Sequence, residues 1–377
     1  MNILVAPNAF KGSLSSLKVA ESIEEGIISA NPEATVNLLP VADGGDSTME
    51  VMMNARGGNP VTVTVLDPLQ RKIKADYGRL PDNTAIVEMA EASGIRRLDE
   101  HEKNPLKTTS YGTGQLIQDA LKKGAQHILI GVGGSATVDG GVGLMQALGI
   151  QFLDHKGHEV GFGGDQLLKI QDIRLTGSSE KLLGNAGITV ICDVDNPLLG
   201  PGGAAEVFGP QKGATPGMVK SLEQGMKNLR DVIKEKFQRD IGSVRHGGAA
   251  GGIAAGLAGI LNARLVPGTE FVLDYIHFHE ALKNCDLVMT GEGKLDSQSL
   301  EGKAPYGVAQ RAKAQNKPVI FIGGAVPGEI KHFESFDAMF SILNGPHSLE
   351  YAMKNTENLI KNQVINLMRL LIIGKLL

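Results

Sequence analysis

The chain has 377 residues, 42% hydrophobic and 21% charged, with a net charge of −4. That is long for one core, so two domains are expected. The slightly acidic balance, the lack of any basic block and the absence of Trp argue against nucleic acid or an anionic membrane as the main partner. Glycine is the outlier: its 49 residues follow no collagen-like period and cluster with Asp, Ser and Lys between apolar runs, a pattern of many shaped loops.

In chain order, Ile3–Ala6 reads as a buried strand, followed by a loop from Pro7 to Ser13 that holds Lys11, Gly12 and Ser13. Ser15 or Ser16 can cap a helix with Val19, Ile23 and Ile27 on its inner face, ending before Pro32. A second strand, Thr35–Leu39, runs into Val41–Thr48, where Asp43 and Asp46 flank Gly44 and Gly45. In an open parallel sheet such loops lie at the carboxyl ends of the strands, where ligands bind. After Pro60 the character changes. Val61–Leu66 and Lys72–Tyr77 alternate as antiparallel strands do, and Ala85–Met89 is a third candidate.

Ser110–Gly114 opens a helix with Leu116, Ile117, Ala120 and Leu121 on its inner face. The stretch Ile128–Gly143 then passes from a buried-strand pattern through Gly131, Gly133 and Gly134 to Ser135, Thr137 and Asp139. After Gly140 and Gly141 a helical pattern resumes at Val142. Glycines at a strand-to-helix turn bring backbone N–H groups close to a ligand, and a helix start favours negative charge. A tight turn capped by Ser or Asp has the same appearance. Phe152–Lys169 reads as a loop with a hairpin, and Thr189–Val194 as a strand that delivers Asp193 and Asp195. Val207–Ala214 carries Gln211 and Lys212, Met218–Phe237 is amphipathic, and the small residues of Gly247–Gly259 predict a closely packed helix with its start open to an anion.

A parallel rhythm returns with Leu287–Thr290, the loop Gly291-Glu292-Gly293-Lys294-Leu295-Asp296, Gln298, a helix near Tyr306–Gln315, and strands at Pro318–Ile322 and Ala338–Leu343. It matches the opening segment better than the middle. The expected architecture is one α/β domain from residues 1–60 and 285–377, a mixed α/β domain inserted at 61–284, and a cleft between them that collects loops from both. Cys192 and Cys285 lie in or beside strand-like runs without C-x-x-C spacing, which predicts buried thiols. No signal-peptide pattern opens the chain, and Leu367–Leu377 is too short to span a bilayer, so a cytoplasmic location is expected.

The chain has no Walker A loop, no H-E-x-x-H and no G-x-S-x-G turn. Gly131–Ala136 approaches a dinucleotide fingerprint but lies far from the first strand and lacks the acidic residue that would bind ribose. There remain Asp43, Asp46, Asp139, Asp193, Asp195, Glu292 and Asp296 in glycine loops, with Lys11, Lys212, Lys294 and Lys303 in similar settings. Carboxylates that hold Mg²⁺, lysines that neutralise phosphate and glycine loops that cradle it are the requirements of phosphoryl transfer.

At these residues the chain resembles the bacterial type I glycerate kinase family. The matching motifs are Ala6-Pro7 with Phe10–Ser13, Val41–Gly45, Ser110–Gly114, Gly133–Thr137 with Asp139–Gly141, Cys192–Pro197, Val207–Ala214, Gly248–Gly252, Thr290–Gly293, Asp296–Gln298 and Gly302-Lys303, in order over nearly the whole chain. The resemblance implies a flavodoxin-like domain with an inserted second domain. It also implies ATP-dependent phosphorylation of D-glycerate with Mg²⁺, the 2-position favoured; separately, a monomer or homodimer is expected. Asn8-Ala9, Asp46-Ser47 and Val138 depart from the family pattern, which has Asp-Ser, Glu-Gly and Asn there.

Carried onto this chain, the resemblance gives Lys11, Asp43, Asp193 and Asp296 catalytic roles, with Asp193 and Asp296 as general base and metal ligand in either order. Lys11 and Ser13 would hold the glycerate carboxylate or the moving phosphate, and Gly133, Gly134, Ser135 and Thr137 would cradle nucleotide phosphates. Gly44, Gly45, Asp139, Gln211, Lys212, Gly291, Gly293, Gln298 and Lys303 complete the substrate and phosphate set, and Asp195 and Glu292 the metal set. The rival expectations are a kinase of another small hydroxy acid and a non-catalytic sensor of glycerate or nucleotide.

Overall fold

The computed structural model describes residues 1–192, 194–295, 303–326 and 334–374. Its strands in chain order are β1 (Asn2–Val5), β2 (Thr35–Leu38), β3 (Asn59–Leu66), β4 (Lys72–Arg79), β5 (Thr84–Glu88), β6 (His127–Gly131), β7 (Gln151–Leu153), β8 (Asp172–Arg174), β9 (Gly187–Cys192), β10 (Arg264–Pro267), β11 (Leu287–Lys294), β12 (Val319–Ala325) and β13 (Ala338–Ser341). The chain forms two compact units, Met1–Ala55 with Thr269–Leu377, and Arg56–Gly268.

The first unit is built on a parallel sheet in the order β13-β12-β11-β1-β2. Numbered within the unit this is 2-1-3-4-5, the flavodoxin-like order, with its switch point between β1 and β11. Side chains alternate across a strand, and here both faces are covered. Leu4, Val288 and Phe321 point into one core with Val308 and Phe278. Ile3, Val5, Met289 and Ile320 point into the other, against Ile23 and Ile27 of helix Ser16–Ala30 and Ile360 and Val364 of helix Thr356–Gly374. These two helices meet at Gly26, where an added Cβ would lie 2.7 Å from the Val364 Cβ. Helices Gly268–Tyr275 and Phe278–Lys283 supply Val272, Leu273, Phe278 and Leu282 to the first core, so the unit boundary falls at Gly268 rather than at residue 284.

The second unit carries a six-stranded sheet in the order β10-β9-β6-β5-β4-β3. β3, β4 and β5 pair antiparallel, while β5, β6, β9 and β10 run parallel. Helix Pro216–Phe237 buries Leu222, Met226, Leu229 and Ile233 in this unit's core. The small-residue stretch forms helix Ala249–Leu261 with a break in its first turn: Ala250, Gly251 and Gly252 take φ of +53, +68 and +88. Packing imposes the break, since a Cβ on Gly251 would sit 2.1 Å from the Thr137 carbonyl oxygen. Among the described residues no helix is long and apolar enough to cross a membrane.

Candidate active-site elements of the two units

In the first unit a cavity of about 550 Å³ opens at the carboxyl ends of β1, β11, β12 and β13. Lys11 and Ser13 reach it from the loop after β1, Glu292, Gly293 and Lys294 from the end of β11, and Lys303 from the start of helix Ala304–Ala314. Three lysines from three separate elements make the wall cationic, and Glu292 sits buried among them. Gly291 serves the sheet instead: a Cβ there would lie 2.0 Å from the Ile322 carbonyl oxygen. Ser13 lines the cavity while its hydroxyl lies 2.8 Å from the Met353 carbonyl oxygen and 2.6 Å from the Thr356 hydroxyl, which fastens the lysine loop to the last two helices, Leu349–Lys354 and Thr356–Gly374.

Asp43 is buried beside β1. It accepts from the Gly45 N–H at 3.2 Å and from the Asn8 side-chain amide at 3.4 Å, with Gly44 at φ +96 shaping the turn. Asp296 and Gln298 lie outside the described residues, as does Asp193 in the second unit.

In the second unit the loop after β6 is left-handed at Gly134, Gly140 and Gly141 (φ +69, +60 and +77), as its glycines required. Many of its N–H groups are already committed within the protein. Ala136 donates to the Ser93 carbonyl, Gly140 to the Gly251 carbonyl, Val142 to the Asp139 carbonyl, and Gly141 to the Asp139 carboxylate. Asp139 is fully buried and also accepts from the Ser110 N–H and hydroxyl, each at 2.8 Å, so it ties two helix starts together. Burial pushes its carboxyl above the ordinary range, and the Ser110 and Gly141 bonds oppose that rise.

Lys212 is 3% exposed. Its ammonium donates to the Ser135 hydroxyl at 2.7 Å and to the Thr137 carbonyl at 2.8 Å. Burial pushes its pKa down to about 7, against the pull of Asp139. The Thr137 hydroxyl is buried with no hydrogen-bond partner among the described residues, Gln211 is exposed, and Gly133 is partly so.

Asp195 is engaged by Arg245 and His246. Arg245 holds both its oxygens, at 3.1 and 2.9 Å, and His246 Nδ1 lies 3.0 Å from one of them. That nitrogen also lies 2.8 Å from the Val194 carbonyl, and two acceptors around it mean that it carries the proton. Of the described residues only Asp99, His101 and Glu102 bring three potential metal-ligating atoms together. Asp99 and Glu102 form a helix capping box, which accounts for that cluster.

Comparison with known proteins settles the family. The Glycerate kinase family model matches residues 3–372. The chain belongs to the glycerate kinase family. It is 42% identical to a glycerate 2-kinase of Escherichia coli K12 over 99% of both chains, and 43% identical to a glycerate kinase of Bacillus subtilis 168 over 94% of both. A crystal structure from Salmonella typhimurium LT2 that carries the name glycerate kinase 2 matches with a TM-score of 0.88 at 43% identity, over all of both chains.

Within a glycerate kinase family chain, two local features need their own account. Ser47 holds φ +69, and left-handed geometry costs a residue with a Cβ about 1–2 kcal/mol. Asp195 is solvent-exposed and paired, so Asp195→Ala is expected to change stability by less than about 1 kcal/mol in urea unfolding. The same variant separates pairing from metal binding: a clear rise in the Mg²⁺ needed for half-maximal turnover would make Asp195 a ligand.

Sequence reasoning did not find the apolar side of the first unit's cavity, formed by Ile342, Leu343, Leu349, Ala352 and Met353. Ile342 and Leu343 read as the end of the last strand, and Leu349, Ala352 and Met353 lie in a short helix, Leu349–Lys354, that no sequence motif marks. It also missed His246, whose partners lie about fifty positions away.

Proposed function

We propose that the chain transfers the γ-phosphoryl group of ATP to the 2-hydroxyl of D-glycerate, with Mg²⁺, in the cytoplasm. Full-length kinship with an E. coli glycerate 2-kinase carries this reading. The cationic cavity of the first unit gives it a chemical basis. Phosphoryl transfer is mostly positioning and charge neutralisation, and Lys11, Lys294 and Lys303 supply positive charge at the carboxyl ends of a parallel sheet. ATP with Mg²⁺ supplies the transferable phosphoryl group.

Glu292 offers hard carboxylate oxygens suited to Mg²⁺ and lines the same cavity, so the described residues fit that ion in the first unit. Asp193 and Asp296 retain the general-base and metal-ligand roles, in either order. In the second unit, Lys212 and Asp139 hold the glycine loop in shape, and the Ser135–Thr137 segment contributes to phosphate binding.

The test is incubation with ATP, Mg²⁺ and D-glycerate, with the product identified by phosphorus NMR and ADP release followed by a coupled assay. The expected product is 2-phosphoglycerate. A 3-phosphoglycerate signal would move the acceptor hydroxyl, faster turnover of another hydroxy acid would move the substrate, and ligand binding with no ADP release would make the protein a sensor.

A further inference from the structure

Resting on that reading, we infer that the first unit's cavity is the nucleotide site, with the base against the apolar wall at Ile342–Met353 and the phosphates against Lys11, Lys294 and Lys303. Size is the first argument. Glycerate has about seven non-hydrogen atoms, whereas a cavity of about 550 Å³ falls in the range of roughly 300–1,000 Å³ that encloses ligands the size of a nucleotide.

The second argument is how the lining is divided. Phe10, Ile342, Leu343, Leu349, Ala352 and Met353 make an apolar wall that a small, doubly hydroxylated acid cannot use and a planar heterocycle can. Leu349 is 76% exposed, a large apolar side chain left open at the rim. Opposite in chemistry are the three lysines, from the β1 loop, the end of β11 and the start of helix Ala304–Ala314. That helix has eleven residues, and its first turn adds partial positive charge. Glu292 among the lysines suits a polyphosphate that arrives with a divalent cation better than it suits a bare monoanion.

Topology is the third argument. The cavity borders the β1/β11 switch point, where flavodoxin-like sheets place their ligands. In the second unit, by contrast, many N–H groups of the glycine loop are spent on protein acceptors, and the helix that follows it, Val142–Ala147, is only six residues long.

The experiment uses the full chain with ADP and D-glycerate as separate probes. Hydrogen exchange is expected to show protection of residues 347–353 with ADP alone and none with D-glycerate alone. Titration calorimetry is expected to show ADP affinity falling about tenfold in Leu349→Asp and in Lys294→Ala, about 1.4 kcal/mol each. In turnover, KM for ATP should rise while KM for glycerate stays unchanged.

ADP affinity unchanged in both variants, or protection of 347–353 by D-glycerate, overturns the inference. Leu349 and Lys294 are both exposed, so the variants are expected to fold. Wild-type turnover of glycerate is read separately. A protein that binds ADP at this wall but phosphorylates no glycerate would overturn the proposed reaction and leave the nucleotide site standing.

Discussion

Lys212→Met is expected to lower turnover about 100-fold and to change how stability depends on pH. The ammonium of Lys212 holds the glycine loop at two points, the Ser135 hydroxyl and the Thr137 carbonyl. Methionine fills much of the same space but donates to neither, which leaves two buried acceptors to shift in search of partners. Displacement of a positioning loop by about 1 Å can cost about 100-fold in rate.

The pH dependence follows from burial. Lys212 releases its proton near pH 7 in the folded chain, and at 10.5 in the unfolded one. Between those values the unfolded chain binds more protons, so this residue makes stability rise with pH through that window. Below pH 7 the buried charge carries its full desolvation penalty, offset in part by Asp139. The stability of wild type relative to Lys212→Met should therefore increase from pH 6 to pH 9 in paired urea titrations. A flat difference would mean that the ammonium stays charged throughout, and the role of burial would fall.

The sheet of the first unit was legible because β1, β2, β11 and β12 each read as a strand ending in a glycine-bearing loop, with β13 following as the last strand. Its boundary was less so. Helices Gly268–Tyr275 and Phe278–Lys283 have apolar faces, and an apolar face does not say which sheet it covers; contact with Leu4 and Val288 decided that. The loop after β6 was legible as unusual backbone, since only glycine adopts φ of +60 to +77 at Gly140 and Gly141 without strain.

Its hydrogen-bond traffic was not legible. Ala136 donates to Ser93 and Gly140 to Gly251, partners about 40 and 110 positions away that no local pattern encodes. The same limit hid the pairing of Asp195 with Arg245 and His246. A lone acidic residue in a glycine loop looks like a ligand until its counter-ion is placed beside it.

Gly251→Ala should be among the most destabilising single-methyl changes in the second unit. The position is left-handed at φ +68, which costs an alanine about 1–2 kcal/mol before any contact is considered. The added Cβ would also lie 2.1 Å from the Thr137 carbonyl oxygen and 2.7 Å from the Val138 Cα, backbone atoms that cannot swing aside. Gly251 is itself anchored from the other side, because its carbonyl accepts the Gly140 N–H at 3.1 Å.

Relief therefore requires moving the Thr137 segment, and with it the bond from Lys212. The expected loss is about 3 kcal/mol or more, roughly 6–12 °C in Tm for a unit of this size. Gly177→Ala is the matched control: it has open space around the new methyl group and no left-handed φ, so its change should stay within about 0.5 kcal/mol. Urea unfolding of the two variants decides the matter. If Gly251→Ala unfolds with wild-type stability, the close packing of the broken helix on the Thr137 segment is not what fixes the glycine loop.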